Sequence, residues 1–365
     1  MHWITLLFVI VGAVLLVFIS IFACTSCYIV RVRDDMTLEG FRNDPEIKER
    51  SFKSLISRGH LKRACDYTVD LIGGSPLWMT CVDPQSHRSW ESFRKNIHEL
   101  EPFASVYIPM PILNKVWERF IDHSKPLIIV SNEGDETPLA DFLSFLKRQN
   151  LIVLYTCNVN LDFTPHPNIR LLPIGYRCVT TEYVRLGKKT ALAFRILNSP
   201  FHKLWSKYSG RPLIDRPLGK KKNWEKPCRV LCALGKSGSA DTSPSLRSRC
   251  INYLQEQPWA TVFDKMHKKK YIEHHEDFAF EISPWGNGLS CYRTTECVLM
   301  QCIPILIDAP DNVVHRDWPC LIVKDPIDIT YDKLETTHRK YGYWWTGNWQ
   351  EKMYVEKFFP VNRAQ

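Results

Sequence analysis

The sequence predicts an α/β protein built as two Rossmann-like halves behind an N-terminal transmembrane helix. Three observations carry that expectation. Short apolar strand runs alternate with amphipathic helical stretches along two separate tracts of chain. A break rich in Pro, Lys and Arg, near 210–227, lies between those tracts. An uncharged apolar run precedes both. At 365 residues and 45% apolar composition, the chain has the size of about two ordinary domains. The expected division is 1–30 as membrane anchor, 31–100 as stem and lead-in segment, 101–215 as the N-terminal half, 216–330 as the C-terminal half, and 331–365 as an aromatic tail packing back.

The anchor is Ile4 to Ala23, ITLLFVIVGAVLLVFISIFA. As a helix it would be about 30 Å long, the thickness of a bilayer core, so a lipid bilayer is the expected partner of residues 4–23. A signal peptide has a shorter apolar core behind a basic leader, whereas only His2 and the amino terminus precede this run. Cleavage near Ala23 stays open. Arg31 and Arg33 follow the run, and by the positive-inside rule they favour a cytosolic body. No Asn-x-Ser/Thr sequon occurs, which leans the same way. Cys24 and Cys27 at the membrane edge would suit palmitoylation in that orientation.

Residues 31–100 show a charged, helix-like stretch from Arg42 to Arg63, a Gly73-Gly74-Ser75-Pro76 loop and an aromatic tract around Trp78, Trp90 and Phe93. In the N-terminal half, Pro126 to Val130 and Leu151 to Tyr155 read as buried parallel strands, with Leu139 to Arg148 as the helix between them. Asn168 to Leu172 leads into Leu172-Pro173-Ile174-Gly175. Ligands of open α/β sheets bind at the carboxyl ends of strands. Asn132, Asp135, Asn158 and Gly175 stand at such ends, where each is also at home as a cap or turn residue.

The C-terminal half opens on the strand Arg229 to Ala233, followed by the polar loop Leu234-Gly235-Lys236-Ser237-Gly238-Ser239. A Walker A motif needs Gly where Val230 stands, so a P-loop is rejected. Lys236, Ser237 and the loop's N–H groups would still suit a phosphate. Helix Leu246 to Gln255 and a strand within Pro258 to Phe263 come next. The centre of the chain is then Phe278 to Ile305, read as strand, glycine turn, helix and strand. Gly286 and Gly288 free the turn, and the following helix N-terminus suits a diphosphate. Arg293 and Glu296 share a helical face. They would serve a phosphate and a sugar hydroxyl, or pair with each other for only about 0.2–0.5 kcal/mol. A last strand falls at Pro319 to Val323. Tyr341 to Trp349 is dense in aromatics, which would pack a terminal helix onto the body, stack on a sugar or base, or face a membrane.

Several function classes are disfavoured. The 13 cysteines are irregularly spaced and form no zinc knuckle, and no Asp-x-Asp pair is present, so no metal is indicated. His267, His274, His275 and Glu276 read as a solvated connector before the central strand. The net charge of +9 fits an anionic ligand or a membrane surface, but the Lys220–Lys222 and Lys268–Lys270 clusters come with no nucleic-acid-reading motif.

The run Phe280-x-Ile282-Ser283-Pro284-x-Gly286-x-Gly288-x-x-Cys291-x-Arg293-x-x-Glu296, continuing to Cys302-Ile303-Pro304-Ile305, resembles the C-terminal signature of exostosin-like glycosyltransferases. Similarity to that family covers about 125–325. The resemblance implies a GT-B-like pair of halves, with the nucleotide sugar held by the C-terminal one. It implies Gly286 and Gly288 at the diphosphate, Arg293 on a phosphate and Glu296 on the ribose. No metal cofactor is implied, and the acceptor would be a glycan or glycoprotein. Asp135 is the expected acceptor base. A lumenal body on a type II anchor in Golgi or endoplasmic reticulum follows from the family, against Arg31 and Arg33. Ser290, Tyr292, Thr295 and Gln301 depart from the family pattern. They keep a second expectation alive, an inactive relative that binds nucleotide sugar or glycan as a scaffold or partner subunit.

Overall fold

The computed structural model describes residues 93–132, 136–176, 220–234, 245–263, 268–286 and 288–359, with short pieces at 45, 48–49, 53, 55–56, 58–69 and 266. The apolar run 4–23 lies outside the described residues, among which no helix is long and apolar enough to cross a membrane.

Two parallel five-stranded sheets with helices make an α/β fold, consistent with two Rossmann-like halves. The first sheet holds β1 (Tyr67–Thr68), β2 (Ala104–Tyr107), β3 (Leu127–Ser131), β4 (Ile152–Thr156) and β5 (Ile169–Leu171), side by side in chain order. Its helices are α1 (Arg58–Ala64), α2 (Met110–Val116) and α3 (Ala140–Arg148). Ile129 and Leu154, in β3 and β4, are fully buried, as expected for parallel strands covered on both faces. The sheet starts earlier than the sequence suggests, because β1 falls inside the stretch read as stem. Asp66 secures it there, accepting from the Ser105 N–H at 2.8 Å and the Ser105 hydroxyl at 2.6 Å, while Lys48 pairs with the same carboxylate. The Ser105 and Lys48 hydrogen bonds outweigh burial and hold the Asp66 carboxyl below its usual range.

The second sheet is made of β6 (Val230–Cys232), β7 (Ala260–Val262), β8 (Phe280–Ile282), β9 (Ile303–Ile307) and β10 (Leu321–Val323). Its spatial order is β10-β9-β8-β6-β7. Helix α4 (Leu246–Gln255) follows β6, with Ser245 accepting from the Ser248 N–H at 3.1 Å as its cap. Helix α5 (Lys268–His274) precedes β8, and α6 (Tyr292–Leu299) joins β8 to β9. The order of strand addition reverses at β6, with all strands still parallel: β7 lies on one side of it and β8 on the other. The carboxyl ends of β6 and β8 therefore flank a topological switch point, where open α/β sheets place their ligands.

One hydrophobic cluster runs across both halves, joining Tyr107, Val130 and Leu172 to Phe280, Ile305 and Trp318. The aromatic tail, through α7 (Tyr331–Tyr341) and α8 (Val355–Phe358), ties the halves again. The Ile56 N–H donates to the Met353 carbonyl at 2.7 Å, and the Phe359 and Tyr155 rings meet edge-on at 5.2 Å. Trp345 Nε1 donates to the Val298 carbonyl at 2.8 Å, which docks the tail on α6.

Candidate functional site

The turn after β8 sits at the switch point, and its two glycines have different neighbours. A Cβ on Gly286 would collide with the Arg247 guanidinium, which reaches over from the first turn of α4. Arg247 Nε also donates to the Trp285 carbonyl at 3.4 Å. A Cβ on Gly288 would collide with the side-chain amide of Asn158, from the other half. Gly288 is thus required by the short, hydrogen-bonded Asn158 side chain, whereas at Gly286 the flexible Arg247 end could give way; both side chains cross the turn in space the sequence reading assigned to a diphosphate.

Asn158 leaves the end of β4 and accepts from the Ser290 N–H at 3.2 Å. Ser290 Oγ in turn accepts from the Ile174 N–H at 3.1 Å. Asn132, leaving β3, donates through Nδ2 to the Pro173 and Ile174 carbonyls at 3.2 and 3.4 Å. Gly175 takes the left-handed conformation at φ 79°. So three of the four residues expected on a ligand rim do lie at strand carboxyl ends. Asn132 and Asn158 are buried there; Asn158 holds the seam between halves with Ser290 as its counterpart, while Asn132 braces the Pro173–Ile174 segment within the first half. Asp135, Lys236 and Ser237 lie outside the described residues.

Arg293 and Glu296 open α6 beside the turn. The ion pair of Arg293 is not with Glu296 but with Glu281 on β8, Nε to Oε1 at 3.2 Å. Glu281 is fully buried in a central strand and carries further partners. The Tyr271 hydroxyl lies 2.7 and 2.9 Å from its two oxygens. His275 Nε2 lies 2.9 Å from Oε2, and His275 Nδ1 lies 2.6 Å from the Tyr271 carbonyl. Both ring nitrogens therefore face acceptors, which calls for the doubly protonated imidazolium. Burial pushes the His275 pKa down, but the Glu281 carboxylate outweighs it and raises it above the ordinary value. Burial likewise opposes the Arg293 charge, and Cys291, Glu281, Tyr271 and Glu296 together overcome it. The expectation of a solvated connector is corrected at His275, whose side chain is fully buried.

Two further buried groups escaped the sequence reading. Lys226 Nζ donates to the Met300 carbonyl at 2.8 Å and to Cys302 Sγ at 3.3 Å. Asp311 and His315, just past β9, are buried on a short 3-10 turn, and burial moves them to about 6 and about 3. Glu281 carried one usable signal, a carboxylate inside a strand with covered faces. Arg247 and Lys226 carried none, since only tertiary approach makes them special. Among the described residues no group of three or more His, Cys, Asp or Glu side chains is placed to hold a metal ion.

Chemically, the switch point offers two cations, Arg247 and Arg293, and the amino terminus of α6, all beside one glycine turn. That arrangement suits an anion. Compared with known families and with curated proteins, the chain matches none.

Proposed function

We propose that the protein is a membrane-anchored glycosyltransferase that moves a sugar from a nucleotide-sugar donor to a glycan or glycoprotein acceptor. The observation that supports this most is the coincidence of the signature turn with the switch point of the second sheet. In this reading the halves form a GT-B-like pair, with the donor on the second half and the acceptor on the first. The acceptor hydroxyl attacks the anomeric carbon while the bond to the diphosphate breaks, and the leaving oxygen takes the electron pair. Arg247, Arg293 and the α6 amino terminus would stabilise that developing charge. Glu296 would hold the ribose hydroxyls, and Asp135 remains the expected base for the acceptor proton. The body would face the lumen of the Golgi or endoplasmic reticulum on a type II anchor.

A second reading has its own support. Arg247 and Asn158 already fill the space over Gly286 and Gly288, and Arg293 is paired with Glu281. That favours a relative that binds nucleotide sugar or glycan without turnover. Purified full-length protein, offered a panel of nucleotide sugars and acceptors, separates the two. Sugar transfer or donor hydrolysis that Glu296→Ala abolishes supports the enzyme. Donor-induced thermal stabilisation with no turnover on any acceptor would leave only the binding protein.

A further inference from the structure

We propose that Cys297 and Cys302 are a redox-active dithiol, which hydrogen peroxide closes into a disulfide across the carboxyl end of α6. Lys226 activates the Cys302 sulfur for that step.

The backbone brings the two cysteines together. Helix α6 is capped at Met300, and Gln301 follows in the left-handed region at φ 56°. The Gln301 N–H donates to the Val298 carbonyl and the Cys302 N–H to the Cys297 carbonyl, each at 3.0 Å. Those two bonds make a Schellman motif, in which the side chains of the residues at 297 and 302 meet. Standard backbone dimensions around the Cys302–Cys297 bond keep the two Cα atoms within about 7 Å, inside the reach of a disulfide. The Cys297 thiol also donates to the Cys302 sulfur.

Two apolar side chains would complete the same motif, so packing does not call for two thiols, nor for the lysine beside them. Lys226 is buried, and among the described residues it pairs with no carboxylate. Nζ caps α6 at the Met300 carbonyl, 2.8 Å away, and also lies 3.3 Å from Cys302 Sγ. A protonated Cys302 donates to the Phe278 carbonyl at 3.1 Å. Once that proton leaves, the Lys226 ammonium and the Cys297 S–H hold the thiolate. Burial opposes the Cys302 charge, but the Cys297 hydrogen bond and Lys226 outweigh it and lower its pKa, whereas burial pushes Cys297 well above its ordinary value. The roles are therefore distinct, with Cys302 the nucleophile and Cys297 the resolving thiol. The Cys302 thiolate attacks one peroxide oxygen, the O–O bond breaks, and a sulfenic acid and hydroxide form. The Cys297 sulfur then attacks the Cys302 sulfur, the S–O bond breaks, and the oxygen leaves as water with the Cys297 proton.

The test treats the reduced, folded full-length protein with hydrogen peroxide, then unfolds it in N-ethylmaleimide and digests it with trypsin. The peptide from Thr294 to Arg316 contains no other cysteine. It is expected to be lighter by two hydrogens and free of maleimide, and dithiothreitol should restore both maleimide sites. Lys226→Met should slow closure about tenfold, the scale of one charge-assisted contact. Cys297→Ser, nearly unchanged in size, should leave a Cys302 sulfenic acid that dimedone traps, while Cys302→Ser should leave Cys297 unlabelled. Those two variants decide the assignment if Lys226→Met does not fold. Two maleimides on the treated wild-type peptide, a link from either cysteine to a different one, or dimedone on Cys297 in Cys302→Ser overturns it. So does equal closure with and without the Lys226 charge in folded protein.

Discussion

His275 Nε2 lies 2.9 Å from Glu281 Oε2 with both side chains fully buried, and the opposite ring nitrogen faces a carbonyl. The histidine pKa is raised in the folded protein from its ordinary value of 6.5, so the folded state binds this proton more tightly than the unfolded state. Its contribution to stability is complete below about 6.5 and is lost as pH rises through the folded value. Urea midpoints taken between about pH 6 and 9 should fall more steeply in the wild type than in His275→Asn, and the variant should be the less stable at the acid end. Parallel pH curves for the two proteins would show that the imidazolium is not held by Glu281.

Gln301 has φ 56°, the left-handed region, at the point where α6 turns into β9. A residue with a Cβ is strained there by roughly 1–2 kcal/mol, and glycine is not. Gln301→Gly should therefore be more stable than Gln301→Ala by about 1 kcal/mol, the reverse of their order inside a helix. Thermal melts of the two variants check this. Equal melting temperatures would mean that the turn relaxes at no cost.

Gly288 and Asn158 are coupled across the seam, because a Cβ on Gly288 would meet the Asn158 amide. Gly288→Ala should destabilise by about 1–3 kcal/mol through overpacking. Asn158→Ala should cost about 1–3 kcal/mol by removing the acceptor of the buried Ser290 N–H. Together they should cost less than their sum, since the second change makes room for the first. A double-mutant cycle by chemical denaturation measures the coupling, and strict additivity would place the two residues apart in solution.

Much of the sheet framework was legible because strands such as β3, β4 and β9 are Ile-, Leu- and Val-rich runs bounded by turn chemistry. Helix α4 matches its expected bounds at Leu246 and Gln255. The strands β1 and β2 were not legible: two and four residues long, with Thr68 and Ser105 inside them, they show no apolar period. The switch point was not legible either, since strand order is a tertiary property. At the candidate site, Arg293 and Glu296 stood out by spacing, but the true partner of Arg293 did not. Alternation placed Phe280 and Ile282 on the core face and left Glu281 unremarked, although a parallel strand between two neighbours has no solvent face. Asn158 taken alone read better as a cap or turn residue, and only the closeness of Gly288 and the Ser290 N–H shows what it does.

For the proposed membrane anchor two indications of orientation conflict, with Arg31 and Arg33 pointing to the cytosol and the family resemblance to the lumen. Asn160, Leu161 and Asp162 form an exposed turn past β4. Asp162→Thr completes a glycosylation sequon there without touching the seam or the switch point. If the body is lumenal, the variant expressed in a eukaryotic secretory system should gain one N-glycan, seen as a mobility shift that endoglycosidase removes. The wild type, which has no sequon, should show no shift under the same treatment. An unshifted variant whose body is digested by protease added to intact microsomes would place it in the cytosol. The positive-inside rule would then have outweighed the family expectation, and lumenal glycan transfer would be excluded.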